Sequence, residues 1–260
     1  MDALSEIPLP VWFVIAAAFG LVFGSFVTAL SYRLPRGESI AHGRSRCPSC
    51  GHTLTARDLV PVLSWVFHKG ACRHCNAKVP WRYPLIELTT AVLFVAAVAA
   101  RLDVVHMGLL LAMTPVIVAL VIIDIENERL PNGLVAVLAL LAVAWRWFGD
   151  GGLLMGLAIA VGVLVLGALI DAGYKALKGV RGLGFGDVKL MALGALALPV
   201  GPFLLFLTLT GLFGVVFGAF WQRTRQSNTF PFGPAILASY WICLAAGGFI
   251  LQEVVASLSG

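Results

Sequence analysis

The sequence predicts an all-α polytopic membrane protein of about eight transmembrane helices, with a small zinc-knuckle cytoplasmic domain between the first and second of them. Three observations carry that expectation: the composition, the recurrence of long apolar stretches, and the uneven placement of lysine and arginine. Of the 260 residues 60% are hydrophobic and only 12% are charged. That leaves too little polar surface to enclose a soluble core of ordinary proportions. Stretches able to cross about 30 Å of hydrocarbon, at about 1.5 Å per residue, recur along the whole chain and exclude a single anchor.

The apolar stretches run approximately over residues 11–31, 84–100, 107–123, 130–148, 151–170, 188–200, 202–221 and 231–251. The sixth is short, and Pro199, Gly201 and Pro202 interrupt its passage into the seventh. The first is not a secretory signal, because acidic Asp2 and Glu6 precede it and Arg33 and Arg36 follow it, a reversed polarity. The positive-inside rule therefore puts the amino terminus outside and the segment after Tyr32 in the cytoplasm. Eight crossings then assign 16 of the 18 lysines and arginines to the cytoplasmic side and leave only Arg101 and Arg146 outside. The formal charge of +5 follows from this orientation and from attraction to anionic lipid. No nucleic-acid motif is present. The expected organisation is a first transmembrane helix at 1–31, a cytoplasmic domain at 32–83 and a transmembrane domain at 84–260.

Four of the five cysteines lie in the polar segment, as Cys47-Pro48-Ser49-Cys50 and Cys72-Arg73-His74-Cys75, with 21 residues between the pairs. Two such knuckles can present four thiolates to one tetrahedral zinc ion, and a segment this short lacks the core to fold alone. Two disulfides are the competing reading, disfavoured in a reducing cytoplasm. His42, His52, His68 and His74 are nearby alternatives as ligands, but four sulfurs already close a structural shell, so the expected metal ligands are Cys47, Cys50, Cys72 and Cys75. Cys243, in the last span, is read as a small buried apolar residue.

Carboxylates mark two span boundaries. The third span ends Ile123-Asp124-Ile125-Glu126-Asn127-Glu128-Arg129-Leu130-Pro131-Asn132, and a glycine-rich loop, Gly182-Leu183-Gly184-Phe185-Gly186-Asp187-Val188-Lys189, leads into the sixth. The topology places both on the cytoplasmic side. Glu126, Glu128 and Asp171 are read as acids that solvate helix ends. Asp187 differs, because its preceding glycines allow close backbone approach and an acid is favoured by the dipole at a helix start. An aspartic peptidase needs two carboxylates near enough that they do not both ionise, one acting as base toward a water and the other as acid. Residues 63 positions apart meet that requirement only through helix packing.

Taken in order, Gly24-Ser25-Phe26, Tyr32-Arg33-Leu34-Pro35, the two CxxC knuckles, Arg82-Tyr83-Pro84-Leu85-Ile86-Glu87-Leu88, the Asp124 segment with Leu130-Pro131, the GFGD loop with Lys189, and Pro231-Phe232-Gly233-Pro234 are a specific set. Together they resemble the type IV prepilin peptidase family, the leader peptidases with N-methyltransferase activity, over nearly the whole chain. The resemblance implies that Asp124 and Asp187 are the catalytic pair of a GxGD-type membrane aspartic peptidase. It also implies that the four cysteines are zinc ligands and that the substrates are prepilins and pseudopilins cut at the cytoplasmic membrane edge. It further implies methylation of the new amino terminus with S-adenosylmethionine, in the bacterial cytoplasmic (inner) membrane. The chain departs from the family at Thr28, where members usually carry Asn. No soluble-methyltransferase glycine fingerprint is present, and no residue is assigned to the methyl donor.

Readings from other classes are a peptidase without methyltransferase activity, a proton-coupled membrane transporter and a zinc-knuckle scaffold. A transporter would more naturally bury its acids at the midplane and show a repeat. A scaffold leaves the GFGD loop without a purpose.

Overall fold

The architecture was analysed on a computed structural model, which describes residues 8–40, 43–149, 151–179, 184–225 and 230–259. Asp2, Glu6, His42, Gly182 and Leu183 lie outside the described residues. The described chain is helical: α1 (Leu9–Arg33), α2 (Leu63–Phe67), α3 (Arg82–Ala99), α4 (Val104–Asn127), α5 (Asn132–Phe148), α6 (Leu153–Lys178), α7 (Phe185–Ala197), α8 (Val200–Arg225) and α9 (Gly233–Ser259). Six helices among the described residues, α1, α3, α4, α6, α8 and α9, are long and apolar enough to cross a membrane. The two remaining apolar stretches form helices of 17 residues (α5) and 13 residues (α7).

The ends of these helices follow local chemistry. The Asp103 carboxylate caps α4 by accepting from the backbone N–H groups of Val105 and His106. Glu128, in the left-handed region at φ 49°, ends the same helix. Pro131 then stands at the start of α5, where its missing N–H costs nothing.

The chain divides into two compact units, Met1–Leu102 with Thr114–Ala119, and Asp103–Met113 with Leu120–Gly260. In the first, α1 packs along α3. A Cβ on Gly20 would lie 2.5 Å from the Ala91 Cα, and one on Gly24 would lie 2.6 Å from the Glu87 Cα. Two small residues four apart on α1 thus meet a pair four apart on α3, the small-xxx-small contact that brings helix backbones together where no water drives them. Thr28, on the same helix, is buried, and its hydroxyl donates to the Ser25 carbonyl at 2.7 Å. A threonine is therefore satisfied by its own helix at this site.

In the second unit α7 is the centre, packed against α5, α6, α8 and α9. It is buried on every side from Ala192 to Ala197. At about 20 Å it is shorter than the hydrocarbon is thick, and its neighbours rather than lipid surround it. Glycines allow the enclosure: a Cβ on Gly194 would meet the Phe206 ring at 2.5 Å, and one on Gly156 of α6 would meet the Leu196 carbonyl oxygen at 2.6 Å.

Gly24→Val should therefore separate α1 from α3 and cost about 1–3 kcal/mol of stability. Val22→Leu, at an exposed site on the same helix, should fall within about 0.5 kcal/mol of wild type. Unfolding of both purified variants in detergent measures the difference.

Candidate active site

Asp124 stands in the last turn of α4 and is 5% exposed. A charged side chain at this depth needs a partner, and the structure supplies one from the backbone. The N–H of Gly233, the first residue of α9, donates to Asp124 Oδ2 at 3.0 Å across 109 residues of sequence. A glycine is required there, because a Cβ on Gly233 would sit 2.5 Å from that same oxygen. Glu126 and Glu128, by contrast, are exposed, as their reading as solvated helix-end acids expects.

Asp187 occupies the first turn of α7 and is partly buried. Its backbone N–H returns to the Gly184 carbonyl at 3.0 Å. Its carboxylate lies over Gly184, where a Cβ would be 2.8 Å from Oδ2. The glycines of the loop thus have separate tasks. Gly184 makes room for the carboxylate, and Gly186 makes room for Leu130, whose Cδ1 would be 2.9 Å from a Cβ there.

The contact at Leu130 and a hydrogen bond from Lys189 Nζ to Asn132 Oδ1 at 2.8 Å join the start of α7 to the segment that follows Asp124. The starts of α5 and α7 are thereby tied together just beyond the turn of α4 that carries Asp124. The structure brings the two acids singled out in the sequence to one end of the second unit, where α4 finishes and α5, α7 and α9 begin. Sequence reasoning quoted Gly233, Lys189 and Asn132 within motifs but assigned them no task.

The cysteine segment, in the first unit, has its own geometry. Cys47, Cys50, Cys72 and Cys75 offer sulfurs that all lie within 4.8 Å of one another, and Cys47 and Cys75 are 3.8 Å apart. Bonds of about 2.3 Å to a tetrahedral ion place sulfurs about 3.8 Å apart, so the set fits a metal. The two knuckles have one backbone plan. Cys47 N–H donates to His52 O and Gly51 N–H to Cys47 O, just as Cys72 N–H donates to Ala77 O and Asn76 N–H to Cys72 O. Gly51 and Asn76 take positive φ at equivalent corners.

The backbone N–H of Cys50, followed by that of Ser49, holds the Cys47 thiol down to about 6, which favours the thiolate a metal requires. All four cysteines are free of disulfides. Of the histidines considered as ligands, His52 and His74 bring their ring centroids within 3.5 Å with the planes tilted by 33°, and His68 Nδ1 faces the Ser64 carbonyl.

Comparison with known proteins matches both parts of the chain to family models. Residues 18–101 match the Bacterial Peptidase A24 N-terminal domain, and residues 109–219 match the Type IV leader peptidase family. Proteins named prepilin leader peptidase/N-methyltransferase from Aeromonas salmonicida (strain A449) and Dichelobacter nodosus are 33% and 32% identical. These alignments cover 95% and 97% of this chain and the same shares of the relatives. The chain belongs to the type IV leader peptidase family. The relative of that name from Bacillus subtilis (strain 168) is 33% identical over 93% of this chain and 97% of its own length. No solved structure matches the chain. Within the leader peptidase family model fall Asp124, Asp187, Lys189 and Asn132, while Gly233 lies beyond its matched end.

Gly233→Ala should push the Asp124 carboxylate off its donor and lower turnover about 100-fold, the scale of loss that a misplacement near 1 Å causes in an active site. Cleavage rate at equal protein accumulation is the measurement. Cys72→Ser should abolish retention of about one metal ion per chain, read by elemental analysis of the purified protein.

Proposed function

We propose that this chain is a membrane aspartic endopeptidase that removes the leaders of type IV prepilins and pseudopilins, with Asp124 and Asp187 as its catalytic pair. In the same reading it N-methylates the new amino terminus, taking the methyl group from S-adenosylmethionine. The single observation that carries the peptidase half is the buried Asp124 carboxylate, fixed by the Gly233 N–H at the end of the unit where Asp187 lies in the first turn of α7. The names of the family relatives support both halves of the reading and do not favour a transporter or a peptidase without methylation.

The chemistry follows from the geometry. Gly233 holds Asp124 Oδ2 and leaves Oδ1 for a water between the two acids. One carboxylate takes a proton from that water as its oxygen attacks the scissile carbonyl carbon, and the protonated partner donates to the developing oxyanion. Collapse of the tetrahedral intermediate breaks the C–N bond, and the departing amine takes up a proton to become the terminus that is methylated.

The orientation that suits this task has eight helices alternating across the bilayer, α5 and α7 included, with the amino terminus outside. The distribution of lysine and arginine supports it. Both aspartates and the 32–83 domain then face the cytoplasm, with 84–260 as the peptidase domain. A substrate can keep its apolar helix in lipid while its basic leader lies near exposed Glu126 and Glu128. The metal in the four-cysteine site is zinc in this reading, a structural ion that completes a domain with little core of its own.

Leader removal from a coexpressed prepilin is the test. Asp124→Asn and Asp187→Asn should each lower it by about 10²- to 10⁴-fold while the proteins accumulate normally. Persistent cleavage in either variant sinks the pair. Transfer of labelled methyl from S-adenosylmethionine to the mature amino terminus tests the second activity.

A further inference from the structure

Between its two knuckles the cysteine segment carries an apolar surface that the metal site does not use. Leu63, Val66 and Phe67 lie three and four residues apart on α2 and are 53%, 56% and 78% exposed. Trp65, on the opposite face, turns inward: its indole N–H donates to the Val79 carbonyl at 3.0 Å and its ring covers Gly70. The apolar face of α2 is therefore held outward by packing rather than left loose. Trp81, 70% exposed, precedes α3 directly.

The depth of this surface is set by one buried side chain. Glu87 is 7% exposed and sits six residues into α3, about 7.5 Å along a helix that is long and apolar enough to cross the membrane. Its Oε2 accepts the backbone N–H of Val62 at 2.7 Å. Val62 is at φ 60° and ψ −50°, and the Leu63 N–H bonds back to the Pro61 carbonyl at 2.6 Å, which makes a γ-turn of the strained kind around a β-branched residue. Such a turn persists only where something holds it. Here Glu87 draws it down beside the second turn of α3, and α2 starts at the next residue.

We infer that α2 and the turn before it rest in the lipid headgroup boundary, with Leu63, Val66 and Phe67 inserted as an interfacial anchor and Glu87 setting the depth. The occupant is a lipid surface for three reasons. The pin to α3 puts α2 at bilayer depth. A tryptophan stands where α3 enters the membrane, the usual position of an interfacial aromatic. Residues 43–82 also carry seven bases, Arg44, Arg46, Arg57, Lys69, Arg73, Lys78 and Arg82, against one acid, Asp58, which pairs with Arg73 at 3.4 Å. That charge complements anionic headgroups.

The test uses the full-length protein in nanodiscs of phosphatidylethanolamine and phosphatidylglycerol, with photoreactive benzoylphenylalanine in place of Phe67 or, separately, of Val92 on the exposed face of α3. Irradiation followed by mass analysis should give phospholipid adducts at both positions. Lipid adducts at Val92 with none at Phe67 would overturn the inference, as would crosslinks from Phe67 to a coexpressed prepilin or to a second copy of the chain instead of to lipid. Glu87→Leu should lose the Phe67 adduct and keep the one at Val92. Unchanged labelling at both positions would remove Glu87 from its depth-setting role.

Discussion

Enclosure of a short helix by its neighbours governs the second unit. Inside a bilayer every backbone polar group must find its partner in protein, and a 13-residue segment meets that condition only when other helices close around it. The enclosure demands small residues where neighbours press close: Gly156 admits the Leu196 backbone and Gly194 the Phe206 ring. It also requires both ends of α7 to be received by protein. One end is received by Leu130 and Asn132, and the other turns through Leu198 and Pro199 directly into α8. Through that packing the Asp187 end of α7 meets the connection that follows Asp124.

The four cysteines and the two aspartates are positioned by different means. The cysteine cluster repeats one backbone turn twice, so four sulfurs converge through local hydrogen bonds within each knuckle. The acid pair has no such local frame. Its geometry depends on a backbone donor from the first residue of α9 and on contacts of the α7 start with the α4–α5 connection. Gly233 is remote in sequence yet touches the Asp124 carboxylate directly, so a change there acts on that side chain at first hand.

Much of this was legible in the sequence, for physical reasons. Long apolar stretches report helices directly, and the six full-length candidates coincide with expected spans. The cysteine spacing predicted the convergence of Cys47, Cys50, Cys72 and Cys75 because each pair is closed by a turn of a few residues. Asp124 and Asp187 were visible as acids at apolar boundaries. The donor to Asp124 was not, since a backbone N–H has no side-chain signature and Gly233 is 109 residues distant. Nor was the bond between Glu87 and Val62, because nothing in the composition of Val60-Pro61-Val62 announces a γ-turn. The short sixth stretch was recognised as a helix, but its central position depends on four neighbours, and a one-dimensional pattern has no access to that.

The interlock of Gly20 and Gly24 with Ala91 and Glu87 bears on how the protein is made. α1 leaves the ribosome well before α3, with the entire cysteine segment between them. During that interval α1 stands in the bilayer as an isolated apolar helix, its notch of two glycines filled by lipid. Docking waits for α3, and the same event that closes the notch delivers Glu87 to Val62. Closure of the first helix pair and the seating of the turn at Val62 are thereby one event, whereas each cysteine knuckle closes on its own local hydrogen bonds.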